Sequence, residues 1–272
     1  MNRNRFILQQ PFVPLRADCF HMVCTDRKDI SVFYEFTVKD GKEQMMQAVP
    51  DGAVDLLFSI SETHVHSAIG GTVLGVKRWP MDIGGIHFGV RFRPGECTLP
   101  KGMTIQDVVN TDVEIETDWF GTCLAERLAG CHSFAERVAV FQQCFGNEAH
   151  TEINHPTAYL EHYIRRRIYE THGMIPMKSL AEESGYSECY LRRVFGSVHG
   201  ISPKQFETFL RFQYVLHHMK TQTKTLEEIA LECGYYDQSH MIKDFKKFSG
   251  TTPEQYYHMI PQTVHSNEME VQ

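Results

Sequence analysis

The stretch "GYYDQSHMIKDFKKFSGTTPEQYY", residues 234–257, decides the fold, because residues 185–206, "GYSECYLRRVFGSVHGISPKQF", have already spelled its pattern once. Both copies run Gly-Tyr, then Phe ten or eleven residues on, then Gly, then Ser/Thr-Pro-x-Gln-aromatic. Leu180, Ala181, Gly185 and Tyr186 match Ile229, Ala230, Gly234 and Tyr235 at an offset of 49, and Phe195, Gly200, Pro203 and Phe206 match Phe245, Gly250, Pro253 and Tyr256 at 50. The turn has gained one residue and the helices have kept their length. A helix, a short glycine-containing turn and a second helix crossing the first make a helix-turn-helix, which presents its second helix outward to a groove. Gly185 and Gly234 suit that turn, since a chain leaving a helix there commonly needs a positive φ, which glycine takes without strain.

The helix starts repeat as well. Thr225 and Glu228 read as a capping box, the first copy opens with Pro176 near its first helical position, and Ser202-Pro203-Lys204-Gln205 and Thr252-Pro253-Glu254-Gln255 are matched boxes with Pro at the first helical position. On the second helix of the first unit, Leu191, Val194, Phe195 and Val198 share one face, leaving Cys189, Arg192, Arg193 and Gly196 exposed. In the repeat, Met241, Phe245 and Phe248 turn inward while Ser239, Lys243, Lys246 and Lys247 face out. Paired cations beside small or polar residues suit a groove-reading helix, in which Arg forks onto guanine, Gln pairs with adenine and Lys neutralises phosphate. Taken alone, either helix reads better as a solvated face. The segment between them, "PKQFETFLRFQYVLHHMKTQ" from 203, tips the balance. As one helix of about 18 residues it spans about 27 Å, close to the ~34 Å between successive major grooves on one side of a duplex.

The whole chain of 272 residues suits two domains, and 42% hydrophobic against 22% charged residues gives real cores. No signal-like start and no run of about 20 apolar residues appears, so a cytoplasmic protein without a membrane partner is expected. Eight scattered cysteines without CxxC pairs read as reduced, mostly buried thiols. The net charge of −7 divides unevenly: residues 1–153 hold 14 Lys and Arg against 20 Asp and Glu, residues 154–260 hold 13 against 12, and Glu268 and Glu270 lie in the tail. The acid sits in the front half, and charge alone names no nucleic-acid partner for the rear half.

To about residue 117 the pattern alternates, as in "ISVFYEFTV" (30–38), "AVDLLFSI" (53–60) and "GIHFGVRF" (85–92). In the last, Ile86, Phe88, Val90 and Phe92 point one way and His87, Arg91 and Arg93 the other, as in half-buried strands of an antiparallel sheet. Short strands broken at Asp40-Gly41 and Asp51-Gly52 suggest a barrel or sandwich. From Asp118 to Phe145 the period lengthens to a pair of amphipathic helices, with Phe120, Leu124, Leu128 and then Phe134, Val138, Phe141 and Phe145 apolar, split near Gly130. The expected chain is therefore α+β: a β-rich domain over 1–148, a polar linker over 149–158, an all-α double helix-turn-helix over 159–262 and a tail over 263–272.

"LAEESGYSECYLRRVFGSVHGISPKQF" and "TLEEIALECGYYDQSHMIKDFKKFSGTTPEQYY" together resemble the arabinose-regulator (AraC/XylS) family of bacterial transcription factors over about residues 156–260. Ile229-Ala230, Gly234-Tyr235, Ser239, Phe245-Lys246-Lys247 and Gly250-Thr251-Thr252-Pro253 with Tyr256 carry the more specific match. The resemblance implies double helix-turn-helix binding to promoter DNA, with read-out from Glu188, Cys189, Arg192 and Arg193 and then from Gln238, Ser239, His240 and Lys243, and Lys246 and Lys247 beside them. Cys189 stands where relatives often carry a larger or more polar side chain, and Tyr236 where a smaller or acidic residue is frequent. RNA polymerase as a partner, a small-molecule effector and a homodimer follow as expectations. The front half resembles a sheet domain that precedes this module in some members, through "VPDGAVDLLFSI" (49–60) and "GVRFRPGECTL" (89–99). Sensor domains of the family are usually barrels, so a cupin-like front half is expected.

Within that half, His64-Val65-His66 puts two imidazoles on one strand face, but the following "SAIGGTVLG" brings no acid, so no metal and no cofactor are expected. His87, Arg91, Arg93 and Asp55 are candidates to hold an anionic effector, although an Arg beside an Asp on a sheet is more often a structural ion pair. Cys19, Cys24 and Cys97 lack flanking groups that lower a thiol pKa. No Ser/His/Asp, HExxH or phosphate-loop pattern supports an enzyme fused to the rear module. A ligand-responsive regulator is thus expected, with a constitutive protein whose front half only dimerises as the alternative.

Overall fold

A computed structural model describes residues 6–38, 45–80, 83–115, 123–145, 156–221 and 224–260. The front half runs α1 (Phe12–Arg16), β1 (Cys19–Cys24), β2 (Ile30–Thr37), β3 (Met45–Ala48), β4 (Asp55–Ile60), β5 (Val65–Gly70), β6 (Lys77–Pro80), β7 (Ile86–Phe92), α2 (Ile105–Val108), β8 (Asp112–Glu114), α3 (Leu124–Ala129) and α4 (Phe134–Phe145). Six strands form one antiparallel sheet in the order β1-β2-β7-β4-β5-β8, and β3 pairs with β6 in a separate two-stranded sheet. The three strands anticipated from alternation form within two residues of the expected bounds.

One face of the large sheet carries Phe33, Phe58, Phe88 and Phe92, which bury against Leu124, Leu128, Phe141 and Phe145 of α3 and α4. Each such ring contributes about 1.5–3 kcal/mol by leaving water. The helix pair splits near Gly130 as its spacing predicts; Phe120 lies outside the described residues. The other face meets α1 and the small sheet through Val13, Phe36, Val38 and Met46. With both faces covered by separate elements, β1 and β8 stay at opposite edges, and among the described residues they do not pair. Of the expected barrel or sandwich, the closed barrel is therefore corrected to an open sheet, because a three-residue β8 offers too short a ladder for closure.

The rear half is helical throughout the described residues: α5 (Pro156–Glu170), α6 (Met177–Ser184), α7 (Glu188–His199), α8 (Pro203–Thr221), α9 (Leu226–Glu232), α10 (Gln238–Ser249) and α11 (Pro253–Met259). Residues 149–155 of the expected linker and the expected tail over 263–272 lie outside the described residues, and the last three linker positions, 156–158, instead begin α5. α8 is the axle of this half. Phe206 meets Phe195 of α7 at 5.5 Å between ring centroids, and Phe212 meets Phe245 and Phe248 of α10 at 5.4 Å each. The core does not stop at the half's border, since Phe12 and Val49 belong to the same cluster.

Candidate nucleic-acid interface

Two units, α6–α7 and α9–α10, are built alike. Gly185 closes α6 at φ 73° and Gly234 follows α9 at φ 72°, the positive values their places in the repeat predict. Ser187 then caps α7, accepting from the Tyr190 amide at 3.3 Å, and Asp237 caps α10, accepting from the His240 amide at 2.7 Å. The caps are 50 residues apart and the glycines 49, so the extra residue is Tyr236, which stands 88% exposed. The boxes at Thr225–Glu228, Ser202–Gln205 and Thr252–Gln255 all form.

The helix faces sort as their spacing predicts except at Val198, expected inward, and Gly196, expected outward, which are both half-buried. Leu191, Val194 and Phe195 of α7 and Met241, Phe245 and Phe248 of α10 are buried. Cys189, Arg192 and Arg193 stand exposed and Glu188 beside them is partly so; Gln238, Ser239, His240, Lys243, Lys246 and Lys247 all stand exposed on α10. Three details lay beyond the sequence reading. Glu188 accepts an ion-pair hydrogen bond from Arg192 one turn on. The Arg193 guanidinium lies over the Tyr190 ring at 5.0 Å, and Tyr186 packs on Tyr190 at 5.2 Å, so a short aromatic ladder aims the cation. Lys247 lies over Phe248 at 5.1 Å. The first two use i,i+3 and i,i+4 neighbours, a signal present in the sequence.

The expected effector residues of the front half separate. Arg91 gives Nε to Asp55 Oδ1 at 2.8 Å, Nη2 to Asp55 Oδ2 at 2.6 Å and Nη1 to Asp51 Oδ2 at 2.7 Å. Burial opposes the Arg91 charge and the two carboxylates more than offset it, so its pKa rises. Tyr34, laid across Gly89 where any Cβ would stand 2.1 Å from its ring, adds a 3.2 Å hydrogen bond to Asp55. Arg93 donates to the Arg27 and Thr25 carbonyls at 3.0 and 2.8 Å. This is the geometry of structural ion pairing, the commoner reading of an Arg beside an Asp. His87 goes elsewhere. Ser59 is in register with both His66 and His87, so these residues share one face across three strands. With Ser61 and His64 they line a depression of about 180 Å³, in which Ser59 Oγ meets His87 Nδ1 at 3.1 Å. The sequence hid this grouping, because β4 intervenes between the two histidine-bearing strands. Among the described residues no three His, Cys, Asp or Glu side chains are placed to hold a metal ion. Burial pushes the Cys97 thiol up and that of Cys233 up to about 12, which leaves both protonated.

Residues 180–259 match the family model described as a helix-turn-helix domain. No curated protein matches the chain. Among solved structures it is similar to the C-terminal domain of AraT, a response regulator from Geobacillus stearothermophilus, at 24% identity over 42% of this chain and 93% of that one, with a TM-score of 0.35. It is similar to the C-terminal domain of the two-component response regulator yesN from Fusobacterium nucleatum at 27% identity, over 36% and 96% of the two chains, with a TM-score of 0.34. It is also similar to ToxT from Vibrio cholerae at 11% identity, over 89% and 98%, with a TM-score of 0.41.

Proposed function

We propose, from the match of residues 180–259 to a helix-turn-helix domain, that the chain is an AraC-type, sequence-specific regulator of transcription whose α7 and α10 enter successive major grooves of promoter DNA. Glu188, Cys189, Arg192 and Arg193 read one half-site and Gln238, Ser239, His240 and Lys243 the other, with Lys246 and Lys247 on phosphates. The observation that carries the proposal is that both exposed cationic helices are anchored by buried aromatic pairs to one 19-residue helix. That axle is about 28 Å long, near the ~34 Å repeat of a groove. Selection of bound DNA from a random pool tests the proposal: two half-sites about one helical turn apart are expected, and a single half-site, or no enriched sequence, overturns it.

The front half then serves as the regulatory domain, joining two copies of the chain and taking a small effector that adjusts contact with RNA polymerase. The depression lined by Ser59, Ser61, His64, His66 and His87 supports an effector of few atoms, being smaller than the ~300–1,000 Å³ of drug-sized sites. Titration with candidate metabolites while operator affinity is followed tests this: a shift in affinity that Ser59→Ala abolishes supports it, and affinity indifferent to every metabolite favours a front half that only dimerises.

A further inference from the structure

Both reading helices end against the front half. The carbonyl of Gly196, in the last turn of α7, accepts from Gln106 Nε2 of α2 at 3.0 Å. Gly200, which caps that helix, sits so close to α2 and the residue after it that a Cβ would meet Val109 Cγ2 at 2.4 Å and Gln106 Oε1 at 3.1 Å. The carbonyl of Ser249, the last residue of α10, accepts from Gln47 Nε2 of β3 at 2.7 Å, in a bond buried from water. Gly250 beyond it faces the neighbouring β6 region, where a Cβ would meet Arg78 Nη2 at 2.9 Å and Val76 at 3.6 Å. Gln47 is 1% exposed and its amide has no freedom to flip: Oε1 accepts from Arg16 Nη2 at 3.2 Å and from Arg78 Nε at 3.1 Å, so the NH₂ end faces Ser249. The Ser249 carbonyl, in the last turn of α10, has no partner within its helix and takes one from Gln47, while the Gly196 carbonyl, already bonded by the Gly200 amide at 3.0 Å, takes a second from Gln106.

The axle is gripped as well. Gln213 of α8 accepts from the Gln9 amide at 2.7 Å and donates Nε2 to the Pro50 carbonyl at 3.0 Å, and Phe206 fills the space over Gly52, where a Cβ would stand 2.6 Å from its ring. Each helix-turn-helix is therefore held at two places, on α8 and on a separate element of the front half. The gripped ends are C-terminal. The N-terminal turns of α7 and α10, where base contacts are made in this motif, are left to solvent at Cys189, Gln238 and Ser239. The front half braces the two units without covering their reading faces.

We propose that the front half is a splint that fixes the separation and angle of α7 and α10, and that Gln47 and Gln106 are positioning residues which set the half-site spacing the protein accepts. The proposal rests on the DNA-binding reading above. Two heads joined by one helix alone turn about the loops at its ends, and such a pair tolerates a spacing error that a pair held at two further points does not. Rigid coupling matters because simultaneous engagement raises affinity by about 10²–10⁴ only where geometry lets both sites bind at once.

The full chain is titrated, by fluorescence anisotropy, onto its selected operator and onto operators with one or two base pairs inserted or removed between the half-sites. Wild type is expected to discriminate against altered spacing by about 100-fold, and the Gln47→Glu, Gln106→Ala double variant by about 10-fold or less. Gln47→Glu keeps both acceptors for Arg16 and Arg78 but turns an oxygen toward the Ser249 carbonyl, so the small sheet keeps its anchoring. Binding to DNA with a single half-site is expected to stay unchanged, which a merely unfolded variant would not show. Unaltered discrimination in the double variant overturns the splint and leaves the DNA-binding reading intact. Wild type that binds all DNA alike overturns both.

Discussion

At Arg193 the structure turns a charge into a directed one. A guanidinium stacked on Tyr190 loses rotamer freedom before it meets a base, so its fork can be aimed at guanine at a lower entropic cost. Arg193→Ala is expected to cost about 1–3 kcal/mol of operator affinity and to relax base preference at one half-site position, measured by competition between single-base operator variants. Lys247 is a point charge at the far end of α10. Lys247→Ala is expected to weaken binding to every sequence alike and to lower the slope of log K against log salt by about 1, read from titrations at several salt concentrations. The i,i+3 relation of Tyr190 and Arg193 stands in the sequence for anyone who looks along a helix. By contrast, Arg91 with Asp51 and Asp55 joins residues 40 and 36 positions apart, and only strand register picks those carboxylates from the many in the front half.

At the scale of elements, the aromatic seam of α8 decides whether there are two heads. Phe212 lies between Phe245 and Phe248 and is wholly buried. Phe212→Ala is expected to destabilise the rear half by about 3–5 kcal/mol, measured by urea denaturation, with the α9–α10 unit loosened before α6–α7. The helices, caps and turns of this half were legible because their signals are local: a box spans four residues, and a glycine turn needs only its own φ. The front half was legible strand by strand but not as a whole. Alternation says which side of β7 is apolar, yet it does not say whether β1 reaches β8, and that distance separates a barrel from an open sheet. Glu35 of β2 with Arg137 of α4, a buried pair 102 residues apart, belongs to the same class of feature.

At the scale of the molecule, a polar chain runs through the border between the halves. His199, at the end of α7 and stacked on Phe195 at 3.9 Å, meets Glu161 of α5 at 2.7 Å; Glu161 pairs with Arg165, and Arg165 with Glu96 of the front half. Burial lowers the His199 pKa, with the carboxylates opposing. For Glu161 burial works upward, and the bonds from His199 and Arg165 more than offset it, so its carboxyl lies low. A neutral ring donating Nε2–H to a carboxylate satisfies both, and leaves Nδ1 without a protein partner. The unfolded chain protonates this imidazole near 6.5, and the folded chain only at lower pH, so the unfolded state binds more protons as the medium is acidified. The stability this ring contributes is therefore full above about pH 6.5 and lost as pH falls through the folded value. Urea midpoints measured at pH 7.5 and 5.5 are expected to fall with acid in wild type and to fall less in His199→Gln.

The sequence by itself determined the doubled unit, its caps, its outward faces and the helix between its halves, because each depends on residues within a turn or two of one another. Tertiary structure alone decided that the sheet stays open, that His66 and His87 flank Ser59 on one face, and that Gln47 and Gln106 hold the ends of α10 and α7. Those pairings join residues from 7 positions apart along one hairpin to 202 apart between Gln47 and Ser249. No periodicity reaches that far; shape and register of packed surfaces select such partners, and they exist only once the chain has closed on itself.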